Sequence, residues 1–411
     1  MAIQIFTNIS LIVNTREESV LLRGKELAHL PVIRDGYIVI EDDIIAELGK
    51  MEDFKHASSQ STNLDVGTIL LPCWCDSHTH LVFSGSRENE FVDKIKGLSY
   101  ADIAAKGGGI LNSARRLNAT SEDELFISSW KRLEEVSKMG TGAIEIKSGY
   151  GLSLEGELKM LRVIKRLKEK SPLLIKSTFL GAHAYPSEYK DNHEEYIRLI
   201  VNEMLPAIAK DKLADYIDVF CEKGFFSPDE MEMVCTAGKK FGLKPKLHVN
   251  QLNSIGGIER AVRLGAVSLD HLETLSEDEI SFLGKFTGCA TLLPTAAFFL
   301  GMHCSPARDL INSGAAVTLA SDFNPGSSPS GNMNFVISLS CIEMKMLPEE
   351  AINAATINGA FAMEIEKECG SISVGKKANL IFTKPVSSLA YLPYSFGNNQ
   401  IDKVMLNGSF I

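Results

Sequence analysis

The segment Asp76-Ser77-His78-Thr79-His80 decides how the rest of the chain is interpreted. It follows Thr68-Ile69-Leu70-Leu71-Pro72, an apolar run that predicts a buried strand. Residues two positions apart on an extended backbone point the same way, so the imidazoles of His78 and His80 face one side. Two imidazoles at a strand end can hold one divalent metal ion. A His-x-His pair alone is more typical of a surface or of core packing, so the prediction of a metal site depends on further ligands at the other strand ends.

Short apolar runs alternate with helical patterns downstream of Leu70, which is typical of a parallel sheet built from βα units. Eight of these runs predict strands, at Leu70–Cys75, Gly142–Lys147, Leu174–Leu180, Tyr216–Phe220, Pro245–Val249, Val267–Leu269, Cys289–Leu293 and Val317–Ala320. Eight strands with intervening helices in about 250 residues predict an α/β fold, a (β/α)8 barrel of the TIM type.

Both ends of the chain are rich in strand-forming residues, and the middle is not. We therefore expect one small β-sandwich domain formed by the N- and C-terminal segments, residues 1–68 and 366–411. The barrel then spans residues 69–365.

The composition of the 411 residues, 45% hydrophobic and 23% charged, is that of a globular protein. The net charge of -10 argues against binding to nucleic acid, and no apolar stretch approaches the roughly 20 residues of a membrane span. Eight scattered cysteines are typical of free thiols in a reducing cytoplasm. The N-terminus has no targeting pattern, which also favours the cytoplasm. We expect a cytoplasmic protein that binds no membrane and whose partner is a small molecule.

Polar side chains stand at the predicted C-terminal strand ends, where barrels of this type carry their chemistry. Beyond the first strand these are Lys147, His183, Glu222, His248, His271 and Asp322, with Tyr150 close to the second strand. The metal site is predicted to consist of His78, His80, His248 and Asp322. Three nitrogens and one oxygen suit zinc (Zn2+) or iron (Fe2+ or Fe3+), with one position left for water. Such a metal lowers the pKa of its bound water toward about 7.

The chain resembles the amidohydrolase superfamily of metal-dependent hydrolases, and within it the branch that hydrolyses 4-imidazolone-5-propanoate to N-formimidoyl-L-glutamate in histidine degradation. The motifs that carry this resemblance are Phe83–Phe91 (FSGSRENEF), Gly97–Tyr100 (GLSY), Gly107–Ile110 (GGGI), Glu145–Leu152 (EIKSGYGL), Phe179–His183 (FLGAH) and Ser321–Gly326 (SDFNPG). The resemblance implies that water attacks the ring carbonyl and releases an amidine nitrogen. It also suggests a homodimer.

The resemblance assigns substrate contacts to particular side chains. Arg87 can bind the propanoate arm through two parallel hydrogen bonds. The other substrate positions that it implies are Tyr150, His183, Asn324, Gly326 and Ser327. The segment from Asn324 leads toward a predicted helix, so its backbone amides are expected to hold the new carboxylate of the product.

Proton transfer falls to other groups, because Gln251 stands where many members of the superfamily have a glutamate. An amide can orient the ring but cannot act as a general base. We therefore assign the catalytic roles to His271 and Asp322. We also expect one metal ion per chain, because the bridging carboxylated lysine of two-metal relatives has no match at Glu222, the end of strand four.

Two alternatives stay open at this stage. One is another amidohydrolase that acts on a related heterocycle, as a deaminase or a cyclic amidase; Arg87 argues against a neutral base, which needs no carboxylate clamp. The other is a noncatalytic barrel, which predicts the loss of at least one metal ligand.

Overall fold

The structure, a computed structural model, describes residues 2–55, 61–98 and 108–411. The strands in this part of the chain are β1 (Ile3–Val13), β2 (Val32–Glu41), β3 (Ile44–Lys50), β4 (Thr62–Asn63), β5 (Ile69–Pro72), β6 (Trp74–Asp76), β7 (Thr141–Lys147), β8 (Leu174–Ala182), β9 (Tyr216–Cys221), β10 (Lys244–Val249), β11 (Ser268–His271), β12 (Cys289–Leu292), β13 (Ala316–Leu319), β14 (Leu380–Thr383), β15 (Ile401–Leu406) and β16 (Ser409–Phe410).

Strands β6 to β13 form a parallel barrel in chain order. Its seam lies just beyond the last strand, where the amide of His80 donates to the carbonyl of Phe323 at 2.9 Å and the amide of Asp322 donates to the carbonyl of His78 at 3.0 Å. The seam therefore brings the two ends of the predicted metal site together. The predicted (β/α)8 fold class is confirmed.

The termini build the second sheet, in the order β16-β15-β14-β5-β1-β2-β3, with β4 beside β1. Its core is separate from that of the barrel and includes Phe6, Ile38 and Phe382. The β-rich element from both ends of the chain is thus present as one continuous mixed sheet. The domain boundaries at 68/69 and 365/366 stay a prediction.

The first barrel strand is shorter than predicted. Leu70–Cys75 was expected to be one strand, but Ile69–Pro72 pairs with β1 and β14 of the terminal sheet. Pro72 has no amide hydrogen, and the chain passes to the barrel at Trp74, whose amide donates to the carbonyl of Gly140 at 2.9 Å. The prediction was wrong in this respect because both sheets bury their strands, so the apolar run does not distinguish them.

Helices surround the barrel at α1 (Glu88–Ile95), α2 (Ile110–Ala119), α3 (Glu122–Lys138), α4 (Leu154–Lys170), α5 (His193–Leu199), α6 (Leu205–Asp211), α7 (Pro228–Lys239), α8 (Gly257–Arg263), α9 (Glu277–Leu283), α10 (Pro294–Leu300), α11 (Ala307–Ser313), α12 (Met333–Ile342), α13 (Pro348–Ala355) and α14 (Ile357–Ala362), with α15 (Tyr391–Tyr394) near the C-terminus. Short 3-10 helices lie at Gly24–Ala28, Met51–Asp53 and Ser187–Tyr189, and a π-helical segment, Ile200–Met204, lies between α5 and α6. Residues 99–107, which include the last two residues of the GLSY motif and the first residue of the GGGI motif, lie outside the described residues. None of the described helices is long and apolar enough to cross a membrane.

Candidate metal and substrate site

Three histidines and one aspartate meet at the C-terminal mouth of the barrel. His80 Nε2 lies 3.3 Å from His248 Nε2 and 3.6 Å from Asp322 Oδ1, and His78 Nε2 lies 3.5 Å from the same oxygen. All four side chains are buried. These are the residues that the sequence predicted as metal ligands, and they come from the ends of β6, β10 and β13.

Carboxylates fix the orientation of two of these imidazoles. His78 Nδ1 lies 2.6 Å from Asp270 Oδ2, and His248 Nδ1 lies 2.8 Å from Asp218 Oδ2. A carboxylate accepts, so each Nδ1 carries the hydrogen and each Nε2 keeps its lone pair. Both Nε2 atoms therefore present a lone pair to the centre of the cluster, as metal-ligating histidines do.

The four side chains fit a metal ion. His78 Nε2 is buried and has no hydrogen-bond partner among the described residues. Burial is the main cause that lowers the pKa values of His78, His80 and His248, which keeps the imidazoles neutral and able to coordinate. The spacing between the ligand atoms is close to the roughly 3.3 Å that four bonds of about 2.0–2.1 Å to a tetrahedral zinc require. The cluster is thus able to hold a metal.

Beneath the cluster lies a network of charges that the sequence analysis did not assign. Lys147 Nζ lies 2.7 Å from Glu145 Oε1, 2.9 Å from Asp218 Oδ2 and 3.6 Å from Asp270 Oδ2. Burial alone would lower the pKa of Lys147, but the three carboxylates raise it above its usual value. Lys147 therefore stays a charged ammonium and does not reach the metal cluster as a ligand.

One metal ion per chain is the expected stoichiometry. A second ion would need a bridging group, and the strand-end Lys147 is engaged with Glu145, Asp218 and Asp270. Elemental analysis of the purified, fully active protein should give a value near one. A value near two, with full activity requiring both ions, would contradict this.

His271 lies beside the cluster in an unusual backbone conformation. Its φ is 86°, in the left-handed region that a non-glycine residue adopts only at a cost of about 1–3 kcal/mol. Its Nδ1 lies 3.3 Å from Glu273 Oε1, and the Ser305 hydroxyl donates to its carbonyl at 2.8 Å. Burial alone would lower the pKa of His271, but Glu273 raises it above its usual value. The imidazole is therefore suited to hold a proton near neutral pH.

A cavity of about 930 Å³ opens above the cluster. The residues that line it include the predicted metal ligands His80, His248 and Asp322, His271, and every predicted substrate contact: Arg87, Tyr150, His183, Gln251, Asn324, Gly326 and Ser327. Glu90, Lys94, Phe298 and Phe299 also line the cavity and were not singled out from the sequence. Residues from His80 to Ser327 in the sequence thus line one cavity.

Arg87 precedes α1 and lies against the loop that follows β13. Its Nε donates to the Ser113 hydroxyl at 2.9 Å, and a Cβ on Gly326 would come within 2.5 Å of its Nη1. A side chain at position 326 would therefore displace the guanidinium. The close approach explains why glycine stands there, and it places a cation at the wall of the cavity.

A buried carboxylate holds the loop that carries Tyr150. Glu157 accepts hydrogen bonds from the amides of Gly149 (3.0 Å), Gly151 (2.8 Å) and Leu152 (2.9 Å). The carbonyl of Gly149 in turn lies 3.0 Å from His183 Nδ1, which must donate to it. Glu157, a residue that the sequence analysis missed, thus fixes the loop and indirectly one ring.

Glu157→Gln is expected to raise the KM for the substrate several-fold and to lower the free energy of unfolding by roughly 1–3 kcal/mol. The NH2 group of the glutamine side chain replaces one of the oxygens that accept hydrogen bonds from the backbone amides of Gly149 and Gly151. Two donors then face each other, and the loop loses one of its supporting hydrogen bonds. Steady-state kinetics and denaturant unfolding measure the two effects. Glu155→Gln, on the exposed side of the same helix turn, is the control, and equal effects in both variants would contradict the assignment.

The loop after β13 differs from the expectation in one respect. The amides of Gly326 and Ser327, expected to be available for a product carboxylate, both donate to Asn324 Oδ1 at 2.8 Å. The hydroxyl of Ser327 lies 3.3 Å from Asp322 Oδ2, and the next helix, α12, begins only at Met333. The amides are thus engaged within the turn, because asparagine side chains readily bond to the backbone that follows them.

Gln251 is presented by a loop that Glu222 holds in place. Glu222 accepts from the amides of Leu252 (2.8 Å) and Asn253 (3.2 Å) and from Asn253 Nδ2 (2.9 Å). At this strand end Glu222 is therefore a structural carboxylate that points to the loop. Its position agrees with the absence of a bridging lysine from this strand.

A parallel barrel with three histidines and an aspartate at its mouth defines the class of a metal-dependent hydrolase. The model of the amidohydrolase family matches residues 69–411. An imidazolonepropionase of Flavobacterium johnsoniae is 54% identical over 410 residues and the whole of both chains, and one of Christiangramia forsetii is 52% identical over 98% of this chain and 99% of its own. The structure of a guanine deaminase from E. coli, at 15% identity, superposes with a TM-score of 0.69 over 100% of this chain and 99% of that one.

The chain therefore belongs to the amidohydrolase family and, within it, to the imidazolonepropionases. The likeness to the deaminase concerns the fold alone. A noncatalytic barrel is not supported, because each of the predicted metal ligands is present at the mouth of the barrel.

Proposed function

We propose that this protein hydrolyses 4-imidazolone-5-propanoate to N-formimidoyl-L-glutamate, a step of L-histidine degradation. The observation that carries the proposal is that a cluster able to hold a metal and the guanidinium of Arg87 line the same cavity. The substrate has the matching features, a ring amide to be cleaved and a carboxylate on a short arm. Relatives named imidazolonepropionases at 52–54% identity support the same activity.

The metal would be held by His78, His80, His248 and Asp322, and when bound it supplies a Lewis acid that polarises the ring carbonyl and activates water. Arg87 binds the propanoate arm. Tyr150, His183 and Gln251 hold the ring between the arm and the cluster. Burial lowers the pKa of His183 to about 4, so this ring stays neutral and binds the substrate by hydrogen bonding.

Two side chains move the protons. Asp322 Oδ1 faces the histidines, and Oδ2 is directed to Ser327, so the carboxylate can accept a proton from the attacking water. His271 then delivers a proton to the leaving ring nitrogen, and Glu273 stabilises the charged form of His271. The proton that Asp322 took from the water restores this charged form, so both side chains return to their starting states. The new carboxylate of the product is held by Asn324, Gly326 and Ser327. For this, either a backbone amide of the turn must leave Asn324 Oδ1 and donate to the carboxylate, or the Ser327 hydroxyl must donate to it.

The test is incubation of the purified protein with 4-imidazolone-5-propanoate. Ring absorbance should disappear while N-formimidoyl-L-glutamate forms in equal amount, as followed by NMR. His80→Ala should abolish the reaction, and His29→Ala, which changes an exposed histidine that does not line the cavity, should not. Inertness toward this substrate, together with release of ammonia from a heterocyclic base, would overturn the proposal in favour of a deaminase.

Three finer assignments accompany the activity. The metal is zinc or iron, because three imidazoles and one carboxylate suit both ions. The location is the cytoplasm, which the eight free cysteines support. The assembly is a homodimer, an assignment that rests on the family resemblance, and light scattering of the purified protein tests it.

A further inference from the structure

One buried ammonium contacts both carboxylates that orient the metal-facing imidazoles. Lys147 Nζ lies 2.9 Å from Asp218 Oδ2 and 3.6 Å from Asp270 Oδ2. These are the same two oxygen atoms that lie 2.8 Å from His248 Nδ1 and 2.6 Å from His78 Nδ1. Each carboxylate oxygen is therefore shared between the ammonium and one imidazole.

The arrangement links strands that are not neighbours. Asp218 and Asp270 lie on β9 and β11, the two strands that flank β10, and His248 lies on β10 between them. Lys147 reaches them from the end of β7. All of these side chains are fully or almost fully buried, so water does not screen the charges.

We propose that Lys147 is a positioning residue for the metal site. Its single charge holds the carboxylates of Asp218 and Asp270 at fixed places, and through them it sets the hydrogen position and the direction of the His248 and His78 rings. Without the ammonium, two buried carboxylates repel each other and lose their partner, and the lone pairs of two ligands no longer converge. The inference rests on the proposed metal ligands and not on the proposed substrate.

The proposal predicts weaker metal binding by Lys147→Met. The full chain is freed of metal with a chelator, and the dissociation constant for zinc is measured by competition with a chromogenic chelator. We expect a loss of about 10- to 100-fold, the usual effect of removing a partner that orients a metal ligand. The visible absorption bands of the cobalt-loaded protein should also change, because they report the geometry of the ligands.

Lys246→Met is the matched control. Lys246 is equally buried and its Nζ lies 2.9 Å from Glu145 Oε2, in the same network of charges. Lys246 Nζ also donates a hydrogen bond of 2.8 Å to the carbonyl of Ala362 and lies 5.6 Å from the centre of the Tyr216 ring. Among the described residues it forms no ion pair within 4 Å with Asp218 or Asp270, although, against the effect of burial, its charge helps to lower the pKa of Asp270. Lys246→Met should therefore lower the stability of the metal-free chain, but because Lys246 contacts neither carboxylate directly, it should weaken zinc binding and shift the cobalt spectrum clearly less than Lys147→Met does.

Zinc affinity in Lys147→Met that equals or exceeds that of the wild type would overturn the proposal, and so would equal losses in the two lysine variants. If Lys147→Met does not fold, Asp218→Asn replaces the test, because it removes one of the carboxylates that the ammonium holds. Zinc affinity within threefold of wild type in Asp218→Asn would then overturn it. A chain that binds zinc tightly but does not hydrolyse the imidazolone would refute the proposed function and leave this inference standing.

Discussion

His271→Asn is expected to lower kcat by at least about 100-fold, the low end of what a general acid–base group supplies. The asparagine keeps a polar side chain of similar reach, but it cannot hold and release a proton near neutrality. In the protein, Glu273 raises the pKa of His271, although burial opposes this, so the imidazole can carry the proton that the leaving nitrogen needs. Metal content, measured by elemental analysis, should stay at the wild-type value.

Gln251→Ala is the comparison for this variant. Gln251 lines the same cavity but has no proton to exchange near neutral pH, so its removal should act on KM more than on kcat. The kinetic constants of both variants are measured at equal metal occupancy. Nearly full kcat in His271→Asn, beside an inactive Gln251→Ala, would reverse the roles that we assign.

The barrel and the cluster could be predicted because the pattern of the sequence and the geometry of the fold agree. A parallel barrel brings all C-terminal strand ends to one face, so residues far apart in sequence, such as His78 and Asp322, must converge once the strands are identified. The seam between β6 and β13 then brings these two into direct contact. Strand count and strand ends were therefore sufficient for this part of the site.

The supporting charges could not be predicted in the same way. Asp218 and Asp270 lie within short apolar strands, where the sequence does not tell whether a carboxylate faces the barrel interior or the helices. Only the register shows that they flank His248 and that Lys147 crosses the interior to reach them. An ionisable residue within an otherwise apolar strand is the signal that was available, since such a residue needs a partner when buried.

The hydrogen bonds of the turn after β13 could not be predicted from the sequence either. Its sequence, Asn324-Pro325-Gly326-Ser327, indicates a turn, but it does not tell whether the asparagine side chain or a ligand receives the amides that follow. In the structure the side chain does so, in two bonds of 2.8 Å. The local sequence thus predicted where the turn lies, but not which acceptor the backbone amides of Gly326 and Ser327 bond to.

Arg87→Met is expected to raise KM by roughly 10- to 100-fold with little change in kcat. A hydrogen bond between charged groups contributes about 1.5–3 kcal/mol, and the methionine keeps the apolar stem while it removes the guanidinium. The arm does not react, so the bond stabilises bound substrate and transition state alike, and the loss appears in KM. Steady-state kinetics with 4-imidazolone-5-propanoate measures it.

Arg116→Met is the matched control for this variant. Arg116 is an exposed arginine on α2, and its Nη1 donates to the carbonyl of Ser86, the residue before Arg87, at 3.0 Å. It does not line the cavity, so its KM should stay within about twofold of wild type. An imidazolone with an uncharged arm separates the charge effect from a general one, since the wild type and Arg87→Met should bind it equally weakly. If Arg87→Met keeps the wild-type KM for the propanoate while its fold is intact, the arm lies elsewhere in the cavity, and Lys94 is then the cation on its wall to replace next.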